Sequence, residues 1–312
     1  MSPLSRHQSS VSLSGLQPLS AQNPLDLVNL GPLMQITSGR AETRIALIDG
    51  PVATGHPELS SAKLIEVPNQ TVGSCQLANS AACRHGTFVA GILAARRGSE
   101  APAICPACTL LVCPIFPETT PKNSPVPSAT PEHLATAIIE CVNAGAHVIN
   151  LSAAIQDPSL RGERLLNEAL NYSAQSGVIV VAAAGNQGSV GSSVITRHPW
   201  VIAVTASDLM GRSLGYSNLG NSIGRRGLSA PGTGIISLDV NGQTNTFVGT
   251  SAAAPFVTGA IALLLSVFPN AKATVVKQVI TTPAGTRRTT VVPPLMNAAA
   301  AYRVLAANYA RK

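Results

Sequence analysis

Four short motifs hold the residues whose types and spacing could do nucleophilic chemistry. Ile48-Asp49-Gly50 puts a carboxylate after an apolar run, and Arg84-His85-Gly86-Thr87 puts an imidazole before a glycine. Ala183-Ala184-Gly185-Asn186 ends a second apolar run in a side-chain amide. Gly249-Thr250-Ser251-Ala252-Ala253-Ala254-Pro255 puts a hydroxyl at the head of a long apolar stretch. Singly, each has an ordinary structural reading: an Asp after a strand caps or turns the chain, and Gly-Asn is a routine turn dipeptide. Together, in the order Asp, His, Asn, Ser, they describe one reaction. A serine hydroxyl is a weak nucleophile at neutral pH and needs an adjacent base. His85 can take the Ser251 proton and return it to a leaving amine, while Asp49 fixes the His85 tautomer and stabilises the imidazolium. The Asn186 side-chain N–H and the backbone N–H of Ser251 can hold a developing oxyanion at the start of a helix. Gly249 and the small residues after Ser251 let a substrate backbone come close. Pro255 is expected in or near the first helical turn, where a missing N–H costs little.

Residues that far apart in sequence need a scaffold that gathers them. Residues 44–49 are an apolar run ending in Asp49 and a Gly turn, which reads as a buried parallel strand. Further strands are expected at 110–116, 147–152, 178–184 and 200–206, with a short extended piece at 247–249. Helices are expected at 86–97, 132–144 and 160–176, each followed by a glycine stop, and from near Ser251, at 271–280 and at 295–309. A short helix from Asn23 should lead to Gly31-Pro32. Strand and helix alternate through the middle, so the fold class is α/β: a mostly parallel central sheet with helices on both faces. Residues 117–131 hold five prolines and read as an irregular loop or edge segment.

Composition narrows the function. Of 312 residues, 45% are hydrophobic and only 11% charged, so the chain can bury a large core. Aromatics are 3% and no basic run reaches five residues, which argues against a nucleic-acid partner despite a net charge of +7. The stretch 252–268 is apolar but interrupted by Pro255, Thr258, Gly259 and Ser266, so a buried helix is expected and no membrane span. The first 24 residues lack the apolar segment of a secretory signal, and a cytoplasmic, monomeric protein is expected. Six cysteines fit buried or loop thiols. Cys105-Pro-Ala-Cys108 has knuckle spacing without a second pair, and Cys75 and Cys83 bracket a loop that a disulfide could close under oxidising conditions. His56, His133 and His198 are expected at the surface and His147 and Trp200 in the core.

The set IDG, HGT, AAGN and GTSAAAP, with spacings of 36, 101 and 65 residues, resembles the subtilisin-like serine peptidases, whose triad runs in the same Asp, His, Ser order. Within that family, ALIDGPVATGHPEL, LLVCPIFPE, GAHVINLSAA and VIVVAAAGNQG are similar to the patellamide-type proteases of cyanobactin maturation. The resemblance implies a serine endopeptidase cleaving the leader from a ribosomally made precursor peptide. It implies catalytic Asp49, His85 and Ser251, an oxyanion hole at Asn186, and substrate contacts from Ser152, Ala153, Ala154 and Gly185. The alternatives are a general intracellular subtilase, a macrocyclising transpeptidase, or a non-catalytic peptide-binding scaffold. Macrocyclising relatives carry a helical insertion near the catalytic His, for which 36 residues between Asp49 and His85 leave no room. The implied organisation is a tail and lead-in helix over 1–40 and one peptidase domain over 41–312. Phe88 replaces a family His at a structural position, and Ala153-Ala154 narrows the pocket before the cut. The substrate should lie extended between residues 152–154 and the proline-rich stretch, where the N–H groups of Lys122, Asn123 and Ser124 are available. No carboxylate cluster suggests calcium, so neither a metal nor a cofactor is expected.

Overall fold

The computed structural model describes residues 23–68, 75–77, 79–118, 128–152, 154–155, 160–282 and 288–309. Two short helices, α1 (Pro24–Leu27) and α2 (Gly31–Ile36), lead into β1 (Arg44–Asp49). Then come β2 (Lys63–Glu66), α3 (Ala81–Ala94), β3 (Thr109–Pro114), β4 (Ser128–Ala129), α4 (Pro131–Asn143), β5 (Val148–Leu151), β6 (Ala154–Ile155) and α5 (Leu160–Gln175). The order continues through β7 (Ile179–Ala183), α6 (Val194–Arg197), β8 (Val201–Ser207), α7 (Asn221–Arg226), β9 (Leu228–Pro231), β10 (Ile235–Leu238) and β11 (Thr244–Phe247). It closes with α8 (Thr250–Val267), α9 (Ala273–Thr281) and α10 (Ala298–Tyr309).

Seven strands form one parallel sheet in the order β2-β3-β1-β5-β7-β8-β9. Both faces are covered, as the unbroken apolar runs require. Along β1, Ile45 and Leu47 join a core with Phe88 and Ile92 of α3 and Ala253 and Val257 of α8. Ala46 and Ile48 turn the other way, into a core with Ile138 of α4 and Leu166 and Leu170 of α5. The α8 helix is apolar and long enough to cross a membrane, but most of it is buried against the sheet. β10 and β11 make an antiparallel hairpin, and β4 pairs with β6 in parallel.

Several elements differ from the sequence reading for identifiable reasons. The helix carrying His85 starts five residues early, because the Ser80 hydroxyl caps the Cys83 N–H at 3.2 Å. Gly31-Pro32 begins a helix instead of ending one, with proline in the first turn. Pro255 lies inside α8, past the first turn, where its missing N–H leaves the Ser251 carbonyl without its usual helical partner. β2 and β10 lack a sequence signal because each is only four residues long: β2 is largely exposed and carries no apolar run, and β10 is buried except at Ile236 but too short to stand out. His56 and His198 are buried: His56 caps a 3₁₀ turn at Glu58 and His198 receives the Trp200 N–H. His147 is exposed and accepts the Arg44 N–H at 3.2 Å.

Two glycines bring the helix onto the strand. A Cβ on Gly50 would overlap the Ala82 carbonyl, and one on Gly86 would overlap the carbonyls of Gly50 and Pro51. The first turns of α3 therefore rest backbone against backbone on the exit of β1. Gly86→Ala should cost about 1–3 kcal/mol in denaturant unfolding, because nothing flexible lies in the way. Gly55→Ala, whose Cβ meets open space, should stay within about 0.5 kcal/mol of the parent.

Candidate active site

Asp49 ends β1 fully buried, and its Oδ1 accepts the Gly50 N–H at 2.6 Å. His85 stands in the second turn of α3. Its Nδ1 lies 2.7 Å from the same Asp49 oxygen and its Nε2 lies 2.9 Å from Ser251 Oγ. Ser251 is the second residue of α8, so its N–H is too early in the helix for an i−4 acceptor. Strand exit, helix start and a second helix start, 36 and 166 residues apart in sequence, thus meet in one hydrogen-bonded chain.

The electrostatics suit a base. Burial alone would lower the His85 pKa, since it disfavours imidazolium. The Asp49 charge and its hydrogen bond act in the opposite sense and win, so the imidazole titrates above its ordinary 6.5. Asp49 Oδ2 is buried without a hydrogen-bond partner among the described residues, so little else quenches the carboxylate. Phe247 closes one side of the ring, edge-on at 5.7 Å between centroids, and itself packs on Phe88 at 4.9 Å. Phe88 is buried, in keeping with a structural role. Arg84 makes a bidentate pair with Asp239 at 2.9–3.1 Å, fixing the start of α3 from outside.

Asn186 is oriented by a residue the sequence reading passed over. Its Oδ1 accepts the Thr250 N–H at 2.9 Å and the Thr250 hydroxyl at 3.0 Å. With the carbonyl end engaged, the amide end, Nδ2, is the one left to donate. Gly249, at φ 142°, passes so close to Asn186 that a Cβ would lie 2.9 Å from Nδ2. Thr250 has a visible signal, standing between Gly249 and Ser251, but a threonine at a helix start reads as an ordinary capping residue. Gly185 sits at φ +101°, with its N–H on Thr250 Oγ1 at 3.2 Å and its carbonyl receiving the Asn218 N–H at 2.9 Å. Both polar groups of Gly185 are thus engaged within the protein, in support of Asn186.

Ser152 is buried beside the site. It receives the Asn150 amide at 3.0 Å, and Asn150 in turn accepts the Thr258 hydroxyl of α8 at 2.9 Å. Ala154 follows in β6, where it pairs with Ser128 of β4. Ala153, and Lys122, Asn123 and Ser124 of the proline-rich stretch, lie outside the described residues. The end of that stretch is strand paired to β6, so the two segments expected to flank a substrate meet directly at 128–129 and 154–155. The thiol reading fails for Cys75 and Cys83, which form a disulfide that joins the loop at 75–77 to the first turn of α3. Cys105, Cys108, Cys113 and Cys141 are buried thiols. Among the described residues, the group of His, Cys, Asp and Glu side chains near enough to share an ion is Cys75, Cys83 and Glu118, whose sulfurs are already joined.

Residues 40–301 match the subtilase family, peptidase S8, and the chain belongs to that family. It is 33% identical over 235 residues to the thermophilic serine proteinase of Bacillus sp. (strain AK1), covering 74% of this chain and 54% of that protein. It is 31% identical over 242 residues to subtilisin DY of Bacillus licheniformis, covering 76% and 81%. The chain thus spans little more than half the length of several subtilases it matches. Among solved structures, the protease domain of PatA superposes with a TM-score of 0.75 at 32% identity, over 86% of this chain and 97% of that one. The prenylagaramide maturation protease PagA gives 0.74 at 30%, over 88% and 98%. A PatG macrocyclase in complex with peptide shares the fold at 0.75 and 20% identity, over 89% and 95%.

Thr250→Val should lower kcat about tenfold, from loss of the bond that orients Asn186, with KM nearly unchanged. Asn186→Ala should cost about 10² to 10³ in kcat, the magnitude established for the oxyanion-hole amide of subtilisin itself. Steady-state kinetics of both variants would check the order.

Proposed function

We propose that this chain is a serine endopeptidase that removes the leader from a ribosomally made precursor peptide. The observation that carries the catalytic part is the continuous chain from Asp49 through His85 to Ser251 beside the oriented amide of Asn186. Ser251 Oγ attacks the scissile carbonyl as His85 Nε2 accepts its proton. Asp49 holds the Nδ1–H and stabilises the imidazolium without taking the proton. Asn186 Nδ2 and the Ser251 N–H receive the oxyanion, aided by the positive end of α8. The tetrahedral adduct collapses, His85 protonates the departing amine, and water repeats the sequence on the acyl-enzyme.

The maturation role rests on the likeness to PatA and PagA. The substrate would lie along Ser152, Ala153 and Ala154, with the proline-rich stretch on its other flank; β4–β6 pairing would close the groove at its far end. Ser251→Ala should abolish cleavage of a precursor peptide while leaving the unfolding midpoint close to the parent's, since it removes one oxygen. The products also separate the alternatives by mass: hydrolysis adds water across the cut, whereas transpeptidation yields a ring without it. Activity of Ser251→Ala within tenfold of the parent would overturn the nucleophile.

The acid limb of kcat/KM reports the free imidazole. His85 acts as a base only when neutral, and its pKa is raised, so activity should climb through a pKa above 6.5. Asp49→Asn should lose about 10⁴ in kcat, by loss of the tautomer and of the counter-charge. It should also move the remaining acid limb to lower pH. A pH series on both proteins gives the comparison.

A further inference from the structure

The one disulfide among the described residues stands at the edge of this site. Cys83 is the third residue of α3, two before His85, and is fully buried. Cys75 is only half-buried, unlike the other five cysteines, so a reductant can reach the bond from one side. A third group ties the same place together. The Glu118 carboxylate lies within 4.8 Å of both sulfurs and accepts the N–H groups of Gln76 at 2.5 Å and Leu77 at 2.9 Å. Glu118 follows β3, whose last residue pairs with Asp49, so it stands past the same end of the sheet as the triad. It also opens the proline-rich stretch expected along the substrate. The disulfide and Glu118 together join three segments: the loop at 75–77, the helix that carries His85, and the chain entering the substrate flank.

We infer that Cys75–Cys83 is a reversible thiol–disulfide site that sets how well the peptidase holds a long substrate; the inference rests on the endopeptidase reading above. With the bond made, the loop presents two N–H groups to Glu118 in fixed register. With it broken, no cross-link joins Cys75 to α3, and among the described residues the two exposed hydrogen bonds to Glu118 and the Ser80 N–H on the Leu77 carbonyl are left to order the loop. The chemistry balances with a dithiol reductant. One reductant thiolate attacks the half-buried Cys75 at Sγ, and Cys83 leaves as a thiolate. The second reductant thiolate attacks the mixed disulfide and releases Cys75. Two electrons pass to the protein sulfurs, which take up two protons, while the reductant becomes a cyclic disulfide. The reverse direction needs a small-molecule disulfide as oxidant. Cys83 suits the leaving role through its place at a helix N-terminus, and Glu118, facing both sulfurs, opposes thiolate formation.

The test uses the full chain. Intact mass after dithiothreitol should rise by two hydrogens, and iodoacetamide applied without denaturant should then label Cys75 and leave the buried thiols of Cys105, Cys108, Cys113 and Cys141 alone. On reduction, kcat/KM for a long peptide should fall about fivefold or more, while hydrolysis of p-nitrophenyl acetate, which needs the triad alone, should change less than about twofold. Oxidised glutathione should restore the peptide rate. Cys75→Ser should sit at the reduced value and ignore dithiothreitol. Three results would overturn the inference: thiols at 75 and 83 that oxidised glutathione fails to join, a peptide rate indifferent to reduction, or ester and peptide rates falling together. An oxidised protein that hydrolyses neither compound would instead sink the peptidase reading, and this inference with it.

Discussion

The contact between the exit of β1 and the first turns of α3 decides the geometry of everything downstream. Asp49 is the last residue of a central strand and cannot move without disturbing the sheet. His85 can reach it only if the helix axis comes nearer to the strand than side chains allow. Gly50 and Gly86 remove the two Cβ atoms that would keep them apart. The 2.7 Å hydrogen bond between imidazole and carboxylate follows from that approach, and the 2.9 Å contact with Ser251 from the docking of α8 on the same face of the sheet.

The same approach sets the electrostatics. A carboxylate wholly removed from water, with one backbone N–H and one imidazole as its described partners, stabilises an imidazolium more than burial destabilises it. The oxyanion side is arranged on a parallel plan. There the polar end of Asn186 that would compete is engaged by Thr250, and Gly249 has no side chain to block the end that is free. On both sides, hydrogen bonds hold the reacting group and glycines without a Cβ admit it.

Much of this was legible in the sequence, and unevenly so. Strands buried on both faces read as apolar runs, and glycine stops marked the ends of α4 and α5, though α3 ends at Ala94, short of Gly98, so the parallel α/β sheet and the order of the four motifs were apparent. The start of α3 was misread because the capping Ser80 stands before Ala-Ala-Cys-Arg, a stretch without an apolar period. Thr250 was missed because its work is done by partners 64 and 65 residues away, Asn186 and Gly185, which no local pattern encodes. The disulfide was one of two open readings, since a spacing of eight residues alone cannot say whether the loop brings Cys75 back to Cys83. His147 shows the limit of position as a guide: it precedes a buried strand yet lies exposed, bonded to the β1 backbone.

The central claim is that Asp49 and His85 together make Ser251 a nucleophile. It is tested most directly by the rate at which a fluorophosphonate phosphonylates the protein as a function of pH, with the adduct mapped by peptide mass. The account predicts a single adduct on Ser251, a rate that rises with the neutral fraction of His85 through a pKa above 6.5, and near-complete loss in His85→Ala. An adduct elsewhere, or a Ser251 rate that ignores pH and survives the loss of His85, would contradict it.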